Sequence, residues 1–140
     1  MDKLLKEAQG HDKIYESLTL FEKALPSFPS NIENFKNFIN TYIIEHFQFE
    51  TKELFPVVLS HGTQDEKNLT QELKEEHRNI LIMCGHHNKL IDRYGMQPKG
   101  TQYNEVKENQ KSIIEAILVH AQKEDDKFFP ILSKYKNNIK

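Results

Sequence analysis

Apolar residues recur every three or four positions along four segments of this chain, with polar residues between them. This spacing places the apolar side chains on one face of an α-helix, and no segment alternates as a half-buried β-strand does. The segments predict helices over about residues 4–25, 30–59, 63–94 and 101–132. Four helices of this length joined by short loops predict an all-α, antiparallel up-down-up-down four-helix bundle.

Turn and capping residues mark where the predicted helices begin and end. Capping boxes, in which a hydroxyl and a glutamate satisfy backbone N–H groups, are expected at Ser30-x2-Glu33 and Thr63-x2-Glu66. Glycine and proline break the helical pattern between the segments. The breaks are Pro26 and Pro29 after the first helix, and Gly95, Pro98 and Gly100 after the third.

One longer motif occurs twice in the chain. Its copies are His46-x3-Glu50-x4-Phe55-Pro56 and His120-x3-Glu124-x4-Phe129-Pro130. A His-x3-Glu pair alone arises easily by chance, but Phe-Pro at the same offset in both copies makes the repeat specific. Residues four apart on a helix lie one turn above each other, so each copy directs an imidazole and a carboxylate to one point.

The polar residues of this motif lie on the apolar faces of their predicted helices, where an unpaired carboxylate is costly. The first and third helices each add one histidine on their apolar faces. At 1.5 Å per residue, these residues fall within about one to two helical turns of a common layer. We therefore predict a metal centre formed by His11, His46, Glu50, His77, His120 and Glu124.

Both copies of the motif place a proline inside a predicted helix. Because proline has no N–H, Pro56 and Pro130 leave the carbonyls of Lys52 and Asp126 without an intrahelical partner. The local cost is about 3 kcal/mol if nothing compensates. We expect both helices to kink at the same distance beyond the motif's glutamate.

Length and charge narrow the class of protein. A chain of 140 residues has the size of one domain, which we expect to span 1–140. The net charge is −2 and the basic residues are interspersed with acidic ones, which argues against a nucleic-acid partner. The chain lacks a signal peptide and an apolar run of about 20 residues, so we expect a cytoplasmic protein without membrane contact. The lone Cys84 is interpreted as a small buried hydrophobe.

The predicted ligand set favours certain metals. Imidazoles and carboxylates without thiolates suit iron, manganese or zinc, and argue against copper(I) or an iron–sulfur cluster. One ion cannot easily use six ligands from four helices, whereas two ions can share bridging carboxylates. With both glutamates and an oxide or hydroxide bridging, two six-coordinate ions keep about two positions open. Such a site binds an exogenous ligand.

The six predicted ligands, the Glu76-His77 dipeptide and the Phe-Pro pairs resemble the pattern of the hemerythrin-like family, the HHE cation-binding domains. The resemblance extends from about Gln9 to Leu132. The resemblance implies a four-helix bundle around two non-haem iron ions with bridging carboxylates and an oxo or hydroxo bridge; zinc or manganese are alternative metals. It also implies binding or sensing of dioxygen, nitric oxide, peroxide or iron itself.

The chain departs from the classical oxygen carriers of this family at two points. Those carriers have a second third-helix histidine four residues from the first, where this chain has Leu73 and Leu81. They also use a longer His-to-Asp spacing on the last helix, where this chain has His120-x3-Glu124. Three other interpretations stay open: a di-iron oxidoreductase acting on peroxide, a structural zinc bundle, and a plain bundle with core histidines. A sensor would also need a protein partner, because a single domain of this length leaves no room for an output domain.

Two further carboxylates lie near the predicted ligands in sequence. Glu7 is one turn before His11, and Glu53 is one heptad after His46. Either could add a ligand or accept from an imidazole N–H. For both, we prefer the interpretation of a solvated carboxylate on a helix surface.

The remaining aromatic and histidine residues receive structural interpretations. Tyr15 and Tyr42 each lie one turn from a predicted ligand, and we interpret them as packing aromatics rather than donors to a bound molecule. His86 and His87 lie about 14 Å beyond the third-helix ligand, too far to share the centre. His61 is assigned to a loop.

Overall fold

The computed structural model describes residues 2–24 and 30–139, and within these ranges the chain is helical and contains no β-strand. The helices are α1 (Lys3–Ala24), α2 (30–61), α3 (Gln64–Tyr94) and α4 (101–134), followed by a short 3-10 turn at Lys136–Asn138. The predicted all-α four-helix bundle is thereby confirmed. The exact up-down-up-down order of its helices stays a prediction.

Two of the four helices change type along their length. Helix α2 consists of α-helical Ser30–Asn37, Ile44–Phe49 and Phe55–His61, separated by π-helical Phe38–Ile43 and Glu50–Leu54. Helix α4 consists of α-helical Thr101–Lys123 and Phe129–Lys134, separated by π-helical Glu124–Phe128. Both helices therefore continue through their prolines, and the expected distortion takes the form of a wider helical turn.

The second predicted capping box is present at the start of α3. The Thr63 hydroxyl accepts from the Glu66 N–H at 3.2 Å, and the Glu66 carboxylate accepts from the Thr63 N–H at 2.9 Å. The helix ends at Tyr94, where Gly95 adopts a φ of 79° that favours glycine. The first predicted capping box depends on the side chain of Ser30, which lies outside the described part of the chain. The predicted breaks at Pro26 and Pro29 also lie outside it.

Apolar side chains form two core clusters that lie on either side of the predicted metal ligands along α2, α3 and α4. One cluster includes Ile14, Leu18, Phe35, Ile39, Ile43, Ile80, Ile113 and Ile117. The other consists of Leu54, Phe55, Val58, Leu73, Phe128 and Leu132. Burying each such side chain contributes about 1.5–3 kcal/mol. The predicted ligands thus form a polar layer between two apolar layers, held in place from both sides.

A third, smaller cluster formed by Ile32, Leu90, Ile91 and Val106 lies farther from this layer along the helices. None of the described helices combines the length and apolar character needed to span a bilayer.

Candidate metal centre

Two of the three π-helical segments described above, Glu50–Leu54 and Glu124–Phe128, begin at the two glutamates of the repeated motif. In α2 the N–H of Phe55 donates to the carbonyl of Glu50, and in α4 the N–H of Phe129 donates to the carbonyl of Glu124. These bonds span five residues because the proline that follows each phenylalanine has no N–H to continue the four-residue pattern. The Phe-Pro element therefore fixes the turn that presents each glutamate.

All six predicted ligands meet in the interior of the bundle. Together with Glu7, they form two groups of possible ligand atoms, and the atoms of each group lie within 4.8 Å of one another. The first group contains Glu7, His11, His46 and Glu50, and the second contains Glu50, His77, His120 and Glu124. Glu50 belongs to both groups, so the two groups adjoin.

Glu50 and Glu124 each face imidazoles of both groups. Glu50 Oε2 lies 3.2 Å from His46 Nε2, while Glu50 Oε1 lies 2.9 Å from His77 Nε2. Glu124 Oε1 lies 3.3 Å from His11 Nε2 and 3.2 Å from His120 Nε2. Carboxylates placed between two sets of nitrogen ligands have the position that bridging carboxylates need.

Glu7 joins the first group, and its interpretation as a solvated carboxylate is wrong. The residue is 1% exposed, because the buried face of α1 runs through Glu7, His11, Ile14 and Leu18. Its four-residue spacing to His11 mirrors the His-x3-Glu spacing and could have revealed it. Glu53, by contrast, is largely exposed and pairs with Lys3 at 2.5 Å, so its interpretation as a solvated carboxylate is confirmed.

The centre contains a concentration of buried polar atoms that lack hydrogen-bond partners. These atoms are Glu7 Oε1 and Oε2, His46 Nε2, Glu50 Oε1, His77 Nε2, His120 Nε2, and Glu124 Oε1 and Oε2. A buried polar atom without a partner costs about 1–3 kcal/mol, and more if it is charged. Because these atoms converge on one place and are all metal-ligand types, the donor set fits a bound cation.

Protons must balance the carboxylates of this centre when no metal does. Burial acts to lower the pKa of His11, but the carboxylates of Glu124 and Glu50 outweigh it and raise this pKa to about 11. Burial, together with the nearby carboxylates of Glu124 and Glu7, raises the pKa of Glu50 well above its usual value. The same groups must lose protons to bind a metal, so metal binding will release protons.

Two of the four imidazoles are oriented by carboxylates outside the centre. Asp125 accepts from His11 Nδ1 at 2.6 Å, and Glu76 accepts from His120 Nδ1 at 2.7 Å. Each contact leaves the Nε2 atom of the imidazole directed at the centre, which is the arrangement of metal-bound histidines. The hydroxyl of Tyr15 also donates to Asp125, at 2.5 Å.

The other two imidazoles lack such a carboxylate. His46 packs against Gly10, where an added Cβ would lie 2.7 Å from the imidazole Nδ1 and Cε1 atoms. His77 has only a 3.5 Å contact from Nδ1 to the hydroxyl of Thr51. The ring of Phe47 stacks on His77 with centroids 3.9 Å apart and helps to orient it.

Residues interpreted as outside the centre lie outside it. Tyr42 donates its hydroxyl to the carbonyl of Gly10 at 3.2 Å, and Cys84 is buried in a core cluster. His87 is also buried, 3.2 Å from Gln110, whereas His61 is exposed as the last residue of α2 rather than part of a loop. Burial raises the pKa of the Cys84 thiol to about 12, so it is not a thiolate ligand.

The sequence matches one family model, described as the Hemerythrin HHE cation binding domain, over residues 6–135. The match therefore covers nearly the whole chain, including every residue of both groups. Neither curated proteins nor solved structures give a match.

Proposed function

This chain belongs to the hemerythrin HHE cation-binding domain family, and on that basis we propose that it holds two iron ions and uses them to bind or sense dioxygen, nitric oxide or peroxide, or to sense iron itself. His11, His46, His77 and His120 are the proposed nitrogen ligands. Glu50 and Glu124 are the proposed bridging carboxylates. For a sensing role, we expect a protein partner to read the state of the site.

The observation that carries the proposal is the set of unpartnered nitrogen and oxygen atoms in the polar layer. Without a cation, the carboxylates of this layer face one another in a dry interior, which is strongly unfavourable. Two cations satisfy them better than one, because Glu50 and Glu124 each lie close to an imidazole of both groups. Mixed nitrogen and oxygen donors without thiolates suit iron.

When bound, iron supplies a place for a small exogenous ligand and electrons to reduce it. The protein's own residues hold and orient the nitrogen donors through Asp125 and Glu76, and they exclude water with the apolar clusters on both sides. Exclusion of water strengthens the electrostatic interactions within the layer.

Metal content of the purified protein tests the proposal. We expect about two iron ions per chain, as in dinuclear carboxylate sites of helix bundles. One zinc ion per chain and no iron would contradict the proposal and support the structural zinc bundle.

Ligand variants give this measurement its controls. Glu50→Ala and Glu124→Ala should lose metal and, with it, the stability that metal binding adds. Glu45→Ala and Glu115→Ala are the matched controls, because both residues are exposed on the same helices. These controls should keep the metal content of the wild-type protein. A ligand variant with unchanged metal content would remove that residue from the proposed site.

A second candidate function is reduction of peroxide, which consumes protons. The contact from the Tyr15 hydroxyl through Asp125 to His11 favours it, because it links a half-buried phenol to the centre through hydrogen bonds. Mixing the reduced, iron-loaded protein with hydrogen peroxide and a chemical reductant separates the two functions. Consumption of many equivalents supports a reductase, and a single reversible spectral change supports binding.

A further inference from the structure

Glu7 is a carboxylate of the centre that the repeated motif does not include. Its Oε1 atom lies 3.2 Å from His46 Nε2 and 3.7 Å from His11 Nε2. Both of its oxygens are buried without a hydrogen-bond partner. A carboxylate in such a place needs a cation beside it.

Glu7 differs from Glu50 and Glu124 in which imidazoles lie close to it. Glu50 and Glu124 each lie close to imidazoles of both groups, as the proposed bridging role requires. The close imidazole contacts of Glu7 are with His11 and His46, which both belong to the first group. Its position is therefore that of a ligand to one ion.

The second half of the chain has no counterpart of Glu7. His11 and His77 occupy equivalent places in the two halves, and four residues before His77 the chain has Leu73. Leu73 is fully buried in the apolar cluster that also contains Phe55 and Phe128. With Glu50 and Glu124 facing imidazoles of both groups, the second group lacks a counterpart of Glu7 and has an apolar wall in that place.

Resting on the dinuclear centre proposed above, we infer that Glu7 is a terminal ligand of the ion held by His11 and His46, and that an exogenous ligand binds at the other ion, beside Leu73. The first position would have five side-chain donors, with Glu50 and Glu124 shared, and the position formed with His77 and His120 would have four, which leaves room there for a further ligand. The apolar wall suits a small uncharged molecule such as nitric oxide or dioxygen, because an anion would lose its hydration there.

Titration of the metal-free protein with iron(II) tests the role of Glu7. Glu7→Leu should bind one of the two ions at least about 10-fold more weakly than the wild-type protein does. Glu53→Leu is the matched control, because Glu53 is an exposed glutamate near the same end of the bundle. It should bind both ions as the wild-type protein does. Wild-type affinity for both ions in Glu7→Leu would overturn the inference.

Thermal unfolding supplies a second readout. Addition of iron should raise the melting temperature of Glu7→Leu by less than it raises that of the wild-type protein, because the variant lacks one ligand. An equal rise in the two proteins would overturn the inference.

A substitution at the symmetric position tests where the exogenous ligand binds. Leu73→Glu supplies the missing carboxylate, so the iron-loaded variant should take up nitric oxide at least about 10-fold more weakly than the wild-type protein. Equal uptake by Leu73→Glu and the wild-type protein would overturn the placement. If Leu73→Glu does not fold, Glu7→Leu loaded with excess iron tests the placement instead. Removing Glu7 frees a place on the ion held by His11 and His46, so uptake should rise to about two nitric oxide molecules per chain.

The outcomes also distinguish this inference from the proposed function. A wild-type protein that binds no iron would contradict both. A wild-type protein that binds two iron ions, together with a Glu7→Leu variant that binds them equally well, would contradict the inference alone.

Discussion

The four imidazoles of the centre are supported unequally, residue by residue. The residues next to the proposed ligands in sequence differ between the two halves of the chain. Gly10 precedes His11, whereas Glu76 precedes His77. Thr51 follows Glu50, whereas Asp125 follows Glu124. Asp125 and Glu76 hold His11 and His120 by short contacts. Each group therefore has one imidazole fixed by a carboxylate, which makes its nitrogen a stronger donor, and one fixed mainly by packing.

Gly10 has a steric role that can be tested. A Cβ at this position would lie 2.7 Å from the His46 ring, so Gly10→Ala should displace that imidazole and weaken metal binding at least about 10-fold. Gly85→Ala is the control, because a Cβ there meets nothing within 4 Å. It should keep metal affinity and raise stability by up to about 1 kcal/mol, since alanine favours a helix interior. Metal titration and denaturant unfolding of both variants measure these effects, and equal metal affinity in the two would contradict the steric role.

At the scale of the helix, the π turns keep residues spaced four apart on one face, although an α-helix has 3.6 residues per turn. Four residues advance an α-helix by about 40° more than one full turn, so a strict spacing of four drifts off one face. Yet His120, Glu124, Phe128 and Leu132 are all buried at that spacing. The wider π turn between Glu124 and Phe128 takes up the drift. It keeps the ligands and the apolar residues beyond them on one face.

The helices, and the convergence of the six proposed ligands in the interior, could be predicted from sequence because each rests on local spacing. The π turns could not be predicted as such, since proline indicates a missing hydrogen bond but not how the helix responds. The sequence signal for a π turn was the strict four-residue spacing of His120, Glu124, Phe128 and Leu132. Glu7 was misinterpreted because an isolated glutamate on a helix is usually solvated. The signal against this interpretation was its four-residue spacing to His11, which places both residues on the buried face of α1.

The capping box of α3 is a further property of a single element. Thr63→Ala removes the hydroxyl that accepts from the Glu66 N–H and should lower the free energy of unfolding by about 1 kcal/mol. Thr101→Ala at the start of α4 is the control, because that helix has no side-chain cap and Thr101 is exposed. Its effect should stay within about 0.5 kcal/mol. Denaturant unfolding of the metal-free variants checks both values, and equal losses would argue against the cap.

For the molecule as a whole, a second polar feature lies away from the proposed metal centre. His87 is fully buried, packs against Phe35 and contacts Gln110, which in turn accepts from Asn31 at 3.4 Å. Burial lowers the pKa of His87 to about 4, and the positive charges of Lys36 and His86 act in the same direction. The folded protein therefore holds this imidazole neutral near neutral pH.

This neutral imidazole links global stability to pH. An unfolded histidine binds a proton below about pH 6.5, whereas folded His87 does so only near pH 4. The unfolded state thus gains protons first, and stability falls as the pH falls from about 6.5 to 4, by at most about 3 kcal/mol. In His87→Leu this part of the pH dependence should be absent. Urea unfolding of both metal-free proteins from pH 7 to 4 measures the difference, and parallel curves would contradict it.

The two groups of the proposed centre are distributed unequally along the chain. Glu7, His11, His46 and Glu50 all belong to the first two helices, whereas the second group needs Glu50 as well as residues from the last two. During synthesis, every donor of the first group is therefore made before His77. The N-terminal hairpin carries a full set of four donors of its own, and the C-terminal hairpin completes its set only by docking against it.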